Sequence, residues 1–254
     1  MKPKETVLKL YKKRGETPLS CIERFKKENP QYLNEKMTYA GRLDPLAEGL
    51  LLVLAGEECK NKDKYLCLDK EYEVDVLLGF STDSYDLLGK VTNKISFEKF
   101  DICDADNCFC AIKSFVGKFS QKYPPFSSKT IKGKSLFSLF KRGELKDEEI
   151  PMKEVEIKNI DMSWARRISK DDLFKYIEES VMLVSGDFRQ KEILEIWSKE
   201  LLNIKMGDFP IISLTVSCTS GTYMRSLANS IGEKVGIPAL ALNIKRTQIG
   251  DYKI

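Results

Sequence analysis

Residues 37 to 52, MTYAGRLDPLAEGLLL, constrain this chain more than any other stretch. Asp44 stands before Pro45, whose ring pushes the preceding residue out of the helical basin into an extended conformation. The carboxylate is therefore aimed rather than floppy. Gly41 and Gly49 on either side permit turns and close backbone approach, and the apolar run from Leu50 to Ala55 predicts a buried strand. An acid on a tight turn beside a core strand is a candidate nucleophile. The same Asp-Pro pair also begins helices, with Asp as N-cap and Pro at the first helical position, and on this stretch alone both readings stand.

Composition narrows the chemistry such an acid could serve. The sequence contains no histidine, which excludes Ser-His-Asp and Cys-His catalysis and the commonest metal ligand. Carboxylate, Lys, Arg, Tyr, Cys and hydroxyl groups remain. The seven cysteines, at 21, 59, 67, 103, 108, 110 and 218, are an odd number without a framework spacing, as expected of free thiols in a reducing compartment. The triplet Cys103, Cys108 and Cys110 lacks the paired four-ligand pattern of structural zinc, and no metal is expected. No apolar run approaches the roughly 20 residues that a bilayer requires, and MKPKETVLKLYKK has no signal-peptide core, so the expectation is a cytoplasmic protein without membrane contact. With 254 residues, 42% hydrophobic and 31% charged, the chain can bury a sizeable core as one large domain or two small ones. The net charge of +4 permits nucleic-acid binding without demonstrating it. Basic residues gather at 9 to 14, 129 to 134, 141 to 142 and 245 to 246 beside Tyr, Phe or Gly, which suits phosphates with bases stacked alongside but also an ordinary solvated face.

The local pattern predicts elements around the acid. Thr17 and Pro18 predict a helix start, with the helix ending near Pro30. In EYEVDVLLG at 71 to 79, Tyr72, Val74, Val76 and Leu78 share one face and Glu71, Glu73 and Asp75 the other, a half-buried strand. Residues 117 to 143 are basic and punctuated by Pro124, Pro125 and Gly143, which predicts an exposed loop able to close over a polyanion. A strand is expected over 150 to 168. Ser169 and Asp172 form a capping box before a helix with Gly186 just past its end, and a second helix follows over about 188 to 202. Residues 210 to 236 read as a strand, a turn and a helix closed by Gly236. Arg225 falls in the first turn of that helix, where the partial positive charge calls for an anionic partner. Asp44 is the candidate.

Several blocks resemble the TruB family of pseudouridine synthases, which convert the T-loop uridine of tRNA to pseudouridine. Gly41, Leu43, Asp44, Pro45, Ala47, Gly49 and Leu51 fall in the register of its Gly-x-Leu-Asp-Pro-x-Ala-x-Gly-x-Leu signature, and Ser220, Gly221, Thr222, Tyr223 and Arg225 match its Ser-x-Gly-Thr-Tyr-x-Arg block. Lys70 and Tyr72 resemble its Lys-x-Tyr strand. Lys12 and Gly15 align with its opening motif, although Lys13 replaces the usual proline. Arg246, Thr247 and Gly250 resemble its last strand. Tyr39 stands where histidine is common. In the 117 to 143 segment Lys129 follows Ser128 directly, one place earlier than in the family pattern.

The resemblance implies an α+β fold around a mixed, mostly antiparallel sheet with flanking helices and a thumb-like basic loop at 117 to 143 that grips the T-arm. It implies a single catalytic domain over 1 to 254, extra helices at 169 to 204, and no counterpart of the RNA-binding PUA module. The partner would be tRNA and the chain a monomer. No cofactor is expected, since the reaction is an isomerisation and no Gly-x-Gly-x-x-Gly or phosphate-binding loop is present. Asp44, Tyr72 and Arg225 would carry the chemistry. Lys12, Tyr39, Arg42, Lys70, Lys129, Lys132, Thr222 and Tyr223 would bind substrate. Two other functions fit parts of the pattern. A retaining glycosidase could pair Asp44 with Glu48, but that leaves Tyr72 and the Arg225 block without a role. A tRNA-folding chaperone could open the T-arm with Asp44 incidental.

Overall fold

The structure is a computed structural model and describes residues 5–95, 105–131, 133–144, 150–205 and 207–254. Its strands in chain order are β1 (Val7–Lys12), β2 (Met37–Ala40), β3 (Glu48–Ala55), β4 (Lys70–Leu78), β5 (Phe80–Thr82) and β6 (Val91–Lys94). They continue with β7 (Gly117–Lys122), β8 (Thr130–Ile131), β9 (Lys134–Ser135), β10 (Met152–Ser169), β11 (Asp208–Cys218), β12 (Ala239–Ile249) and β13 (Tyr252–Lys253). The helices are α1 (Pro18–Glu28), α2 (Lys62–Leu66), α3 (Ala105–Lys113), α4 (Leu136–Lys141), α5 (Lys170–Met182), α6 (Gln190–Leu202) and α7 (Met224–Val235).

Nine of these strands make one sheet in the order β1-β3-β12-β4-β11-β10-β7, with β2 on β3 and β13 on β12. Its pairings are antiparallel except for a short parallel contact of β12 with β3, where Lys245 faces Glu48 and Arg246 faces Gly49. This is the α+β, mostly antiparallel arrangement expected. The parallel contact matters for function: Arg246 is also the partner of Tyr72 across β12 and β4, so one residue ties the end of the Asp44 turn to the strand that carries Tyr72.

Residues 44 to 47 form a turn in which the Ala47 N–H donates to the Asp44 carbonyl at 3.1 Å, and the chain then enters β3 rather than a helix. The helix-start reading of Asp-Pro is therefore overturned. α1 begins as its sequence requires: Thr17 Oγ1 accepts from the Ser20 N–H at 3.0 Å, and the Thr17 N–H donates to Ser20 Oγ at 2.8 Å. In β4 Tyr72, Val74, Val76 and Leu78 are buried while Glu73 is exposed, as the alternation predicts.

Three boundaries differ from expectation. The segment 117 to 143 is not loop throughout, because 117 to 122 pair with β10 as the edge strand β7. What remains, 123 to 143, holds the separate β8–β9 pair and α4. α5 ends at Met182, short of Gly186. The Gln190 side-chain amide donates to the Val184 and Gly186 carbonyls at 2.9 and 2.8 Å, and buried Val184 turns the chain inward, so the helix stops without a glycine cap. α6 starts at Gln190, after Arg189 in a left-handed conformation.

The two helices are no loose appendage. Leu173, Ile177 and Val181 of α5 and Ile193, Trp197 and Leu201 of α6, each at i, i+4, i+8 spacing, join the main core. Trp197 and Phe209 both pack on Phe80 with ring centroids 5.0 Å apart. No helix among the described residues is long and apolar enough to cross a membrane. Of the cysteine triplet, Cys103 lies outside the described residues, Cys108 is buried and Cys110 exposed.

Candidate active site

The Asp44 turn, β4, the start of α7 and the 123 to 143 segment enclose a cavity of roughly 680 Å³ whose walls include Asp44, Tyr72, Asp86 and Arg225. Arg225 occupies the second position of α7 and is 3% exposed. Its Nε donates to Asp44 Oδ2 at 2.8 Å and its Nη2 to Asp44 Oδ1 at 3.0 Å. The anionic partner inferred for an arginine at a helix N-terminus is thus the one present, across 181 residues of sequence. Nη1 donates to the Ser84 carbonyl at 2.9 Å and Nη2 also to the Phe126 carbonyl at 3.2 Å. With four of its five N–H groups engaged, the guanidinium is held in orientation, and with it the carboxylate it grips. Asp44 keeps 31% of its side chain exposed, toward the cavity.

A second acid, which the sequence reading did not single out, completes the cluster. Asp86 lies 3.7 Å from Arg225 Nε, and its Oδ1 accepts from the Ser84 hydroxyl at 2.6 Å and the Leu88 N–H at 3.0 Å. Burial pushes its carboxyl above the usual range, opposed by the Arg225 charge and the Ser84 hydrogen bond. Burial pulls the Arg225 guanidinium down, but the charges of Asp44 and then Asp86 outweigh it, and the net displacement is upward. Asp86 belongs to the STDSYD run at 81 to 86, and its role was hidden because its partner lies far along the chain.

Tyr72 forms part of the cavity wall, 8% exposed, and burial pushes its phenol up, with Arg246 opposing. Arg246 is itself 1% exposed. Its Nε donates to the Leu50 carbonyl at 2.8 Å and its Nη2 to the Gly41 carbonyl at 3.1 Å, which fixes both ends of the loop bearing Asp44. Tyr223 lines the cavity, and burial followed by the Asp44 charge pushes its phenol up to about 12. Gln121 of β7 clamps its backbone: the Tyr223 N–H donates to Gln121 Oε1 at 2.8 Å, and Gln121 Nε2 donates back to the Tyr223 carbonyl at 3.1 Å. Thr222 is buried, lines the cavity and donates to the Thr219 carbonyl at 2.9 Å.

The basic candidates divide. Arg42 is exposed and lines the cavity. Lys70 also lines it but turns its ammonium onto the Leu66 carbonyl at 2.8 Å and onto that of Leu68. Burial and the neighbouring Arg246 charge push Lys70 down to about 8. Lys129 is exposed at the β8–β9 pair, its Nζ 5.4 Å from the Tyr123 ring centroid, and is not in the cavity wall. Lys132 lies outside the described residues. Two further residues expected to bind substrate lie away from the cavity wall. Lys12 is wholly buried, with its Nζ donating to the Pro45 carbonyl at 3.2 Å and to that of Ala47. It buttresses the Asp44 turn from behind and offers no charge to a phosphate. Tyr39 packs against the cluster of Leu8, Cys21 and Ile22 on the α1 face, with Lys62 Nζ 5.3 Å from its ring centroid, and is not in the cavity wall. Its neighbours Gly41 and Arg42 reach the cavity instead.

Comparison with known proteins places this chain in a family. Residues 30–181 match the model for TruB family pseudouridylate synthase (N terminal domain). A tRNA pseudouridine synthase B of Chloroherpeton thalassium is 31% identical over 227 residues, 87% of this chain and 73% of its own length. One of Clostridium kluyveri is 27% identical over 250 residues, 98% of this chain and 68% of its own. In fold the chain is similar to a protein in a crystal structure of a Cbf5-Nop10-Gar1 complex, with TM-score 0.55, 19% identity and coverage of 98% of this chain but 50% of that one. It is also similar to a chain of an H/ACA RNP bound to a substrate RNA containing 2'-deoxyuridine, with TM-score 0.53, 17% identity and coverage of 98% and 48%. The match over residues 30–181 and the relative at 31% identity establish that the chain belongs to the TruB family of pseudouridylate synthases.

Proposed function

We propose that the protein isomerises the T-loop uridine of tRNA to pseudouridine, with Asp44 as the catalytic carboxylate. One observation carries this reading: a carboxylate gripped at both oxygens by Arg225 faces a cavity that Tyr72 also lines. Relatives named tRNA pseudouridine synthase B support the substrate.

Pseudouridylation breaks the bond from C1′ to N1 and makes one from C1′ to C5, after which C5 loses its proton and N1 takes one up. The uridine must first leave its stack, at a cost of a few kcal/mol, and the cavity receives it with Tyr72 as the stacking face. Asp44 then acts on the ribose, either attacking C1′ or removing a proton from C2′. Both routes need an ionised, oriented carboxylate, which the two-point pair with Arg225 provides. The detached uracil turns within the cavity, whose walls keep water from the sugar. Arg42 and Lys129, both exposed, contact phosphates, while Thr222 and Tyr223 shape the pocket. Residues 1 to 254 act as one catalytic domain, in the cytoplasm and as a monomer, without metal or cofactor.

A T-arm transcript carrying tritium at C5 of its uridines tests this. The wild-type protein is expected to release label, and Asp44→Asn to bind the RNA and release none. Equal release from both proteins removes Asp44 from the mechanism, and binding without release by the wild type makes the chain an RNA-binding protein.

A further inference from the structure

The helices α5 and α6 are the part of the fold to which the proposed chemistry gives no task, yet their connection reaches the cavity. Arg189, with φ +64°, precedes α6 and lines the cavity. Its Nη1 and Nη2 donate to Asp83 Oδ2 and Oδ1 at 2.8 and 3.2 Å, and its guanidinium carbon lies 4.4 Å from the Phe126 ring centroid. The pair is largely buried, 19% and 11% exposed.

Phe126 is the hub of the segment 123 to 143. Its ring packs edge-on against Phe140 and Phe137, with centroids 4.8 and 5.7 Å away, and its carbonyl accepts from Arg225 Nη2 at 3.2 Å. The β8 and β9 strands of that segment pair only with each other, outside the main sheet, and its near end is tied where the Tyr123 N–H donates to the Pro151 carbonyl at 3.2 Å and the Tyr123 ring packs on Tyr223 with centroids 5.4 Å apart. Phe126 is anchored from the other side as well. Asp83 sits between β5 and β6, and this hairpin is tied to α6 by the Lys90–Glu192 and Lys94–Glu200 ion pairs and by Phe80 on Trp197. A planar cation held from behind by a two-point carboxylate and laid on an aromatic ring is a rigid contact. Arg14, two residues beyond buttressing Lys12, stacks 4.5 Å over Tyr176 of α5, a second tie between these helices and the Asp44 neighbourhood.

We propose that Arg189 is a positioning residue: anchored on Asp83, it holds Phe126, and with it the segment 123 to 143, over the Asp44–Arg225 pair. The α5–α6 hairpin thus buttresses that segment through Arg189. The catalytic consequence rests on the proposed function, whereas the effect on the free protein does not. Both terminal nitrogens of Arg189 are engaged by Asp83, so holding phosphate is not its task.

Arg189→Ala, Phe126→Leu and the double variant test the inference. In the RNA-free protein, trypsin is expected to cut after Lys129, Lys134 and Arg142 about tenfold faster in Arg189→Ala than in wild type, with cleavage at other sites little changed while the melting temperature falls because Asp83 loses its buried partner. On the T-arm transcript, KM is expected to rise about fivefold or more, and kcat to fall about threefold or more as the Phe126 carbonyl loosens from Arg225. Phe126→Leu is expected to reproduce this, and the double variant to be no worse than either single one, since both remove one contact. Arg189→Lys, which keeps the charge for Asp83 but not the flat stack, is expected to rescue in part. Unchanged cleavage at the three sites overturns the proposal, as do additive effects in the double variant or a uniform rise in cleavage along the chain. Salt-dependent loss of RNA affinity with wild-type cleavage would make Arg189 an RNA ligand and also overturns it. If the wild-type protein releases no tritium, the proposed function fails while the cleavage and coupling results still decide the role of Arg189.

Discussion

Arg225 grips Asp44 by two bonds of 2.8 and 3.0 Å and stands only 3.7 Å from a second acid, Asp86. One buried guanidinium therefore serves two carboxylates, and Asp44 is the more open of the two, its side chain 31% exposed against 8% for Asp86. Lysine cannot reproduce the fork, because an ammonium is a single point that cannot meet two oxygens and the Ser84 and Phe126 carbonyls together. Arg225→Lys is expected to lower kcat about 100-fold, the cost of a reacting group displaced by an ångström or so, with RNA affinity within a few-fold of wild type. Single-turnover kinetics beside a binding isotherm check this. Retention of full single-turnover rate would mean that orientation of Asp44 does not depend on the pair.

Gly49 marks where β3 and β12 come too close for a side chain. A Cβ there would lie 2.3 Å from the Arg246 carbonyl oxygen and 2.8 Å from its nitrogen, at a φ of +107°. Both obstacles are backbone in the middle of a sheet, so nothing can swing aside. Gly236 closes α7 at φ +73° with nothing within 4 Å of its Cβ position, so substitution there meets conformational strain alone. Gly236→Ala is expected to cost about 1 to 2 kcal/mol, and Gly49→Ala about 3 kcal/mol or more, since overpacking adds to strain. Because Arg246 also holds the Gly41 and Leu50 carbonyls, Gly49→Ala should lose activity beyond its loss of stability. Urea denaturation of both variants, with activity measured well below the transition, distinguishes the two. Equal costs would show that the sheet yields at this point.

Most of what surrounds Asp44 was legible because it is local or because it is a misfit. The alternation in β4 and the Thr17 cap are patterns within one element. The Arg225 partner could be inferred because an arginine at a helix N-terminus is electrostatically out of place. What could not be read was which way a polar side chain faces once strands from distant parts of the chain pair. Lys12 sits in a basic run and looks like a phosphate ligand, but only the packing of β1 beneath the Asp44 turn reveals its burial. Tyr39 was expected at the substrate, yet a strand turns successive residues to opposite faces, and the register Tyr39 to Val53 sends it to the α1 side. Arg189 and Asp83 are 106 residues apart, and neither carries a local signal.

The burial of Lys12 has a pH signature. Burial pushes its ammonium down from 10.5 to about 8, partly opposed by the charge of Asp44 and then of Glu16, and Lys70 is pushed down to about 8 in the same way. Between about pH 8 and 10.5 the unfolded chain binds protons that the folded chain has released, so stability increases with pH across that window, by at most roughly 1.4 kcal/mol per pH unit for each lysine. Tyr11, Tyr65 and Tyr223, each pushed up to about 12, and Cys218, pushed up to about 11, act in the opposite direction, the cysteine from about pH 8 and the tyrosines from about pH 9, where the unfolded groups begin to ionise. Across the interval from pH 8 to 10 the difference between wild type and a variant lacking one lysine therefore isolates that lysine. Lys12→Met keeps the buried stem and removes the titrating group, so its slope across that interval is expected to fall below that of wild type by up to roughly 1.4 kcal/mol per pH unit. At pH 7 the variant leaves the Pro45 and Ala47 carbonyls without their donor, and kcat should fall as the Asp44 turn loosens. Urea midpoints at half-unit steps of pH, for wild type and variant side by side, read the slopes directly. Identical slopes would mean that Lys12 stays protonated in the folded protein throughout, as an ammonium fully satisfied by the turn it supports.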